Sequence, residues 1–141
     1  MTTRAILFDA GHTLLYAHPS VSEVYAQVTE RHGAVIPAEE IRTAFVPIFR
    51  EFVREYASTS SSSDAEDYAM WREITRRVMN RVEGLARVEF EPWFEDLYAT
   101  FGGASAWRFY DDVEPVLKEL RRYGFKLGIV SNWDTRLRRI A

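Results

Sequence analysis

The sequence predicts an α/β fold organised around parallel strands. Two apolar runs, at 4–8 and 125–130, each end in small polar or acidic residues, and the first does not alternate between apolar and polar positions. Such runs are typical of parallel strands covered by helices on both faces. A helical pattern at 112–122 lies just before the second run, as in a crossover connection. We therefore expect both strands to be buried in one sheet.

Composition excludes several classes of protein. The chain has 141 residues, and 18 Lys and Arg against 21 Asp and Glu give a formal net charge of −3, which argues against a nucleic acid partner. With 47% hydrophobic residues it is not a disordered chain, and no apolar run approaches the roughly 18–20 residues that span a membrane. Cysteine is absent, which excludes disulfide scaffolds and thiolate sites and fits a reducing compartment. We expect a soluble, cytoplasmic protein with neither a nucleic acid nor a membrane partner.

Between the two apolar runs, the pattern is helical for about 85 residues. We expect four helices, which begin near Ser20, Pro37, Asp64 and Pro92, with Ser20 or Ser22 capping the first and Asp64 the third. Pro47 is expected to kink the second helix or break its first turn, and the serine-rich run at 58–63 to form a loop. The aromatic residues of these helices are more typical of a helical core than of a substrate pocket; they are Phe45, Phe49, Phe52, Tyr68 and Trp71.

After position 103 the α/β pattern resumes, but it provides only one further strand. The helix at 112–122 is expected to bury Val116, Leu117 and Leu120, and a last helix to begin at Asp134. That last helix carries three arginines, expected on a solvated face: Arg136, Arg138 and Arg139. Two strands make a marginal sheet, so we expect the sequence to be the front part of a longer α/β protein. An exposed strand edge invites pairing, and we therefore expect these 141 residues alone to self-associate.

Asp9 lies at the end of the first strand, where open α/β sheets bind their ligands. A carboxylate at such a place serves as a nucleophile or as an oxygen ligand for Mg²⁺. Gly11 lets the backbone approach a ligand closely. An equally good interpretation is structural, with Asp9 capping a turn that Gly11 completes.

Ser131 and Asn132 follow the second strand and lead into a helix. A hydroxyl beside free backbone N–H groups at a helix start is suited to an anion. Ser and Asn are also ordinary connectors between a strand and a helix. If the two strands are neighbours, the tips of both converge on one crevice, and the functional interpretation gains weight.

Taken together, the motifs resemble the haloacid dehalogenase superfamily of phosphatases and related hydrolases. The first reads Ile-Leu-Phe-Asp-Ala-Gly-His-Thr-Leu at 6–14, the second Leu-Gly-Ile-Val-Ser-Asn at 127–132, and a helical insertion follows the first. The resemblance implies a Rossmann-like parallel-sheet core at 1–17 and 104–141, incomplete in this chain. It also implies an inserted four-helix-type cap at 18–103.

The resemblance also implies roles for individual residues. Asp9 would attack phosphorus to give an aspartyl-phosphate and would also bind Mg²⁺, with the carbonyl of Gly11 as a second ligand. Ser131 and the backbone N–H groups of Asn132 and Ala10 would hold the phosphoryl oxygens. The implied activity is a Mg²⁺-dependent phosphatase that acts on a small phosphorylated metabolite.

Two departures from the family pattern keep alternatives open. Phosphatases of the family usually have a second Asp where this chain has Gly11; His12 is either its substitute or a loop residue, and Thr13 is expected to brace the loop. The later family elements, a Lys or Arg and further Asp residues, would lie beyond Asn132, and this chain has nine residues after it. It is then a piece of a longer enzyme, a chain that pairs with another, or one that no longer catalyses. The alternatives are a 2-haloacid dehalogenase in which Asp9 attacks carbon, and a non-catalytic interaction module.

Overall fold

The structure, a computed structural model, describes residues 4–56 and 63–141. Its strands and helices occur in the order β1 (Ala5–Phe8), β2 (Leu15–Ala17), α1 (Val21–Arg31), α2 (Ala38–Tyr56), α3 (Asp64–Arg81), α4 (Phe90–Phe101), β3 (Trp107–Phe109), α5 (Val113–Arg122), β4 (Lys126–Ile129) and α6 (Leu137–Ile140). Two short 3₁₀ segments, Glu83–Arg87 and Ala104–Ala106, flank α4. Except for Ser63, the predicted serine loop lies outside the described residues.

β1 and β4 form the predicted parallel pair. Their register runs from Ala5 beside Lys126 to Phe8 beside Ile129, and the N–H of Val130 donates to the carbonyl of Phe8 at 2.9 Å. The two strands therefore end side by side. This confirms the α/β class, and it places the residues that follow each strand at one edge of the sheet.

The expected burial of these strands on both faces is wrong for this chain. Leu7 is 64% exposed and Ile129 41%, and Val116, expected to face inward from α5, is 45% exposed. Leu117 and Leu120 are half-buried. The physical reason is that a two-stranded sheet with one crossover helix lacks the further layers that would cover its apolar side chains.

A second, antiparallel pair joins β2 to β3 and was not predicted. Leu15 pairs with Phe109 and Ala17 with Trp107. The N–H of His18 then donates to the carbonyl of Ala106 at 2.9 Å. The chain therefore enters and leaves the helical segment α1–α4 through two adjacent strands.

The helices α1–α4 and their flanking turns contain the main hydrophobic core. It includes Val28, Ile41, Ile74, Val78, Leu85, Trp93 and Leu97, each at most 2% exposed. Buried polar groups are paired: Trp93 Nε1 donates to Thr29 Oγ1 at 3.0 Å, and the hydroxyls of Tyr25 and Thr75 are 3.0 Å apart. Among the described residues, none of the helices is both long and apolar enough to span a membrane.

The observed helix caps and the course of α2 can be compared with the sequence predictions. Ser20 caps α1 as predicted, with its hydroxyl accepting from the N–H of Glu23. α3 is capped by Ser63 rather than Asp64, because Ser63 and Glu66 form a reciprocal capping box. α2 is not broken at Pro47; the proline is exposed, and the buried stripe continues on both sides of it.

Candidate active site

Asp9 and Ser131 come together at the carboxyl ends of β1 and β4. Ser131 Oγ donates to Asp9 Oδ1 at 2.5 Å, although 122 positions separate the two residues. The backbone N–H of Ala10 donates to the same oxygen at 2.8 Å. Within the described residues Oδ2 of Asp9 accepts no hydrogen bond. The two constellations predicted from the sequence therefore form one site with a free carboxylate oxygen.

The surroundings of Asp9 favour its ionised form. The hydrogen bond from Ser131, then that from the N–H of Ala10, and to a smaller extent the charge of His12, hold the pKa of the Asp9 carboxyl below its ordinary value of 3.8. Hydrogen bonds and positive charge act this way because they stabilise the anion. The site thus presents a carboxylate, the form needed in a nucleophile or metal ligand.

The loop after Asp9 is a tight turn closed on the carbonyl of Ala10. That carbonyl accepts from the N–H groups of Thr13, Leu14 and Leu15 at 2.8–3.2 Å. His12 adopts φ +57°, a left-handed conformation in which glycine is usually found. The Thr13 side chain is exposed, and its hydroxyl makes no hydrogen bond within the described chain. Its supporting role therefore stays a prediction.

A cavity of about 1070 Å³ lies between this edge of the sheet and the helices. Five of the predicted site residues line it: Asp9, Gly11, His12, Ser131 and Asn132. The two remaining ones, Ala10 and Thr13, do not. Aromatic side chains supply much of the rest of the lining, namely Tyr16, Tyr25, Phe45, Phe49, Trp71, Phe94, Tyr98, Phe101, Trp107 and Trp133. Phe45 and Phe52 are buried core residues as expected, but Phe49 and Trp71 are only half-buried and face the cavity.

Arg136 is not on a solvated helix face, contrary to the sequence prediction. It forms an ion pair with Asp134 (Nη2 to Oδ2, 2.5 Å), and the side chains are only 12% and 2% exposed. Its Nη1 donates to the carbonyl of Tyr98 at 3.0 Å, and the guanidinium stacks on the Tyr98 ring at 3.7 Å. The last helix begins at Leu137 and not at Asp134 as predicted. Arg138 and Arg139 are exposed as predicted.

The segment that carries Ser131 is also fixed to the helices through Thr135. The N–H and the hydroxyl of Thr135 donate to the carboxylate of Asp64 at 3.1 and 2.5 Å. These bonds hold the pKa of Asp64 below its ordinary value. Sequence reasoning missed both this contact and that of Arg136 with Tyr98, since nothing local links residues so far apart.

The oxygen atoms at Asp9 and Gly11 can be compared with the ligands that Mg²⁺ prefers. The part of the chain that the structure describes has no group of three or more His, Asp or Glu side chains placed to hold a metal ion. The carboxylate of Asp9 and the carbonyl of Gly11, which accepts no hydrogen bond there, are hard oxygen donors. Mg²⁺ keeps several waters and often uses only one or two carboxylates together with substrate phosphate. The donors present therefore fit Mg²⁺ in kind and supply part of its shell.

A family model for haloacid dehalogenase-like hydrolases matches residues 3–141. The chain belongs to this family. Among curated relatives, "Haloacid dehalogenase-like hydrolase domain-containing protein 3" of Mus musculus is 27% identical over 135 residues, which are 95% of this chain and 53% of the mouse protein. The protein of the same description from Homo sapiens is 24% identical over 134 residues, 95% of this chain and 53% of the human protein.

Two solved structures share the fold of this chain. The crystal structure of a dehalogenase has a TM-score of 0.60 and 18% identity, covering 99% of this chain and 56% of that one. A phosphoglycolate phosphatase, described as predicted, from Haemophilus somnus has a TM-score of 0.51 and 17% identity, covering 96% and 55%. The chain thus spans about half the length of the relatives it matches.

Proposed function

We propose that this haloacid dehalogenase-like protein is a Mg²⁺-dependent phosphatase that acts on a small phosphorylated metabolite through an aspartyl-phosphate on Asp9. The observation that carries the proposal is the 2.5 Å hydrogen bond between Ser131 and Asp9 at the mouth of a cavity. It joins an ionised carboxylate to a hydroxyl donor, which are the nucleophile and the oxygen-binding group that phosphoryl transfer needs. The absence of cysteine supports a cytoplasmic location.

The reaction proceeds in two displacements. Oδ2 of Asp9 forms a bond to phosphorus, while the bond from phosphorus to the ester oxygen breaks and the leaving alkoxide takes up a proton from solvent water. Water then attacks phosphorus and releases a proton to the solvent, the bond to Asp9 breaks, and inorganic phosphate leaves with the carboxylate regenerated. Positioning and charge stabilisation supply most of the catalysis in such a reaction.

Residues around Asp9 hold the phosphoryl oxygens in this proposal. Ser131 Oγ and the N–H of Ala10 both donate to Asp9 Oδ1. When the phosphoryl group binds, the Ser131 hydroxyl turns to one of its oxygens, and the N–H of Asn132 serves another. Asp9 and the carbonyl of Gly11 would hold Mg²⁺, whose positive charge would stabilise the negative charge of the transferring group.

The proposal includes a division of the chain into two parts. Residues 1–17 and 104–141 form the core that carries the nucleophile, and 18–103 form a helical cap that shields the cavity from water. The adjacent connector strands β2 and β3 support this division, because they let the helical segment begin and end at one place. The substrate is then a small molecule enclosed between the two parts.

Gly11 favours a second candidate, hydrolytic dehalogenation of a 2-haloacid. A glycine cannot transfer a proton to a leaving alcohol, but a halide leaves without one. Asp9 would attack the carbon that bears the halogen, halide would depart, and water would hydrolyse the ester to a 2-hydroxy acid. Halide release that is independent of Mg²⁺ distinguishes this reaction from phosphate release that requires it.

The test compares Asp9→Asn with the wild-type chain. We expect the 141-residue chain to release phosphate from p-nitrophenyl phosphate with Mg²⁺ but not with EDTA, and Asp9→Asn to lower the rate at least about 10³-fold. Asp111→Asn, which changes an exposed aspartate outside the cavity, is the matched control and should retain the wild-type rate. An equal loss in both variants, or a rate that survives Asp9→Asn, would contradict the proposal.

A further inference from the structure

Three parallel aromatic rings form one wall of the cavity. The rings of Phe45 and Phe49 stack with centroids 5.6 Å apart and planes at 11°, and Phe49 and Trp71 follow at 5.8 Å and 12°. Phe49 and Trp71, on α2 and α3, are only half-buried and line the cavity, so part of each side chain can contact a ligand. A flat apolar group binds well against such a wall.

The charges around the cavity are unfavourable for a second anion. Besides Asp9, the lining contains the carboxylates of Glu66, Asp67 and Asp134. Burial is the main cause that raises the pKa of Asp67, and the negative charges of Asp134 and Asp64 raise it further against the opposing charge of Arg136. A carboxylate on the substrate would be repelled there.

No Lys or Arg side chain of the described lining is free to offset these carboxylates, and the other basic side chain, His12, lies at the Asp9 end of the cavity. Arg136 is the only Lys or Arg among the described residues that line the cavity. Both edges of its guanidinium are taken, by Asp134 and by the carbonyl of Tyr98, and its face lies on the Tyr98 ring. Binding a substrate carboxylate would require the buried Asp134 to lose its partner, which is costly.

We infer that the cavity selects phosphate monoesters whose organic group is uncharged and apolar, aromatic groups above all, and discriminates against those with a carboxylate. This inference rests on the proposed function and names the substrate class for the same site. The phosphoryl group lies at Asp9 and Ser131, and the organic group packs against Phe49 and Trp71. Phosphoglycolate, whose organic group is a small carboxylate, is then a poor ligand.

The test is a binding titration of the full 141-residue chain with Mg²⁺, using calorimetry. The ligands are 1-naphthyl phosphate, phosphoglycolate, inorganic phosphate and 1-naphthol. We expect 1-naphthyl phosphate to bind at least about tenfold more tightly than phosphoglycolate, and also more tightly than 1-naphthol, which lacks the phosphoryl group. Equal or tighter binding of phosphoglycolate overturns the inference while leaving the proposed function intact.

Two variants locate the preference within the cavity. Trp71→Leu should lower the affinity for 1-naphthyl phosphate by about five- to tenfold and leave inorganic phosphate unchanged. Tyr68→Leu, which changes another half-buried aromatic of α3 outside the lining, is its control for folding and packing. An equal loss in both variants overturns the inference.

A charge variant tests the discrimination against carboxylates. Asp67→Asn should raise the affinity for phosphoglycolate severalfold, with little effect on the affinity for 1-naphthyl phosphate.

One further outcome separates this inference from the proposed function. If 1-naphthol binds as tightly as 1-naphthyl phosphate, and inorganic phosphate does not bind, the phosphoryl site at Asp9 does not exist. The proposed function then fails, and the assignment of phosphate monoesters fails with it. If inorganic phosphate binds and Asp9→Asn abolishes that binding, the phosphoryl site stands, whichever organic group is preferred.

Discussion

The indole ring of Trp133 packs against the α-carbon of Gly11. A Cβ atom placed on Gly11 would lie 3.3 Å from Cζ3 and 3.9 Å from Cε3 of that ring. Trp133 is itself supported by Trp107, with ring centroids 4.7 Å apart. The position at which phosphatases of the family usually have a second Asp thus faces an indole, and the two residues have to be considered together.

This contact predicts that Gly11→Asp is poorly tolerated unless Trp133 is also reduced in size. The single substitution should destabilise the chain by about 1–2 kcal/mol, because the carboxylate crowds the ring. In Gly11→Asp/Trp133→Leu the crowding is relieved, so the double variant should lose less stability than the sum of the two singles. Urea unfolding of the four proteins measures the coupling; strict additivity would contradict the account.

The buried ion pair of Arg136 with Asp134 should matter more than any surface pair of the chain. Arg136→Met leaves the Asp134 carboxylate buried without its partner, and we expect a loss of about 3 kcal/mol. Arg138→Met, two positions away on an exposed side chain, should change stability by less than about 0.5 kcal/mol. Thermal or urea unfolding checks both, and similar effects of the two substitutions would show that Arg136 is not specially placed.

Asp96 gives the stability of the helical segment a defined pH dependence. Arg31, and then His32, hold the pKa of Asp96 below its ordinary value of 3.8, with N–O distances of 3.0 Å to each. A depressed carboxyl pKa stabilises the fold above the unfolded value, and that contribution is lost as the pH falls through the folded value. Since the pair is partly exposed, we expect Asp96→Asn to cost no more than about 1 kcal/mol at pH 7.

The difference in free energy of unfolding between wild type and Asp96→Asn should decrease progressively below pH 3.8. Urea unfolding at a series of pH values measures it. Glu30→Gln, on an exposed side chain of α1, is the control and should show no such convergence. If the difference in free energy of unfolding between wild type and Asp96→Asn grows as the pH falls below 3.8, the predicted direction of the pH dependence is wrong.

The uncovered strands predict self-association of these 141 residues. Leu7 and Val130 are each 64% exposed beside an open strand edge, and exposed apolar edges favour pairing between chains. Light scattering should give a mass above the 16.4 kDa of one chain, rising with concentration. Val130→Lys should reduce the association. A monomer at every concentration would contradict the prediction.

Much of the candidate site could be predicted because short stretches of sequence mark the ends of its two strands. An apolar run that stops at Asp9, and a second that stops at Ser131, identify two strand ends, and parallel pairing brings strand ends together. β2 and β3 were missed because three residues show no periodicity. The burial of Arg136 was missed because it depends on Asp134 and Tyr98, whose positions only the folded chain determines.

Trapping the phosphoryl group on Asp9 tests the aspartyl-phosphate mechanism. The 141-residue chain is incubated with p-nitrophenyl phosphate and Mg²⁺, quenched in acid, and analysed by intact mass and peptide mapping. We expect one added phosphoryl group on Asp9, absent from Asp9→Asn and retained in Asp111→Asn. Phosphate release with no adduct on Asp9, or an adduct that persists in Asp9→Asn, would contradict it.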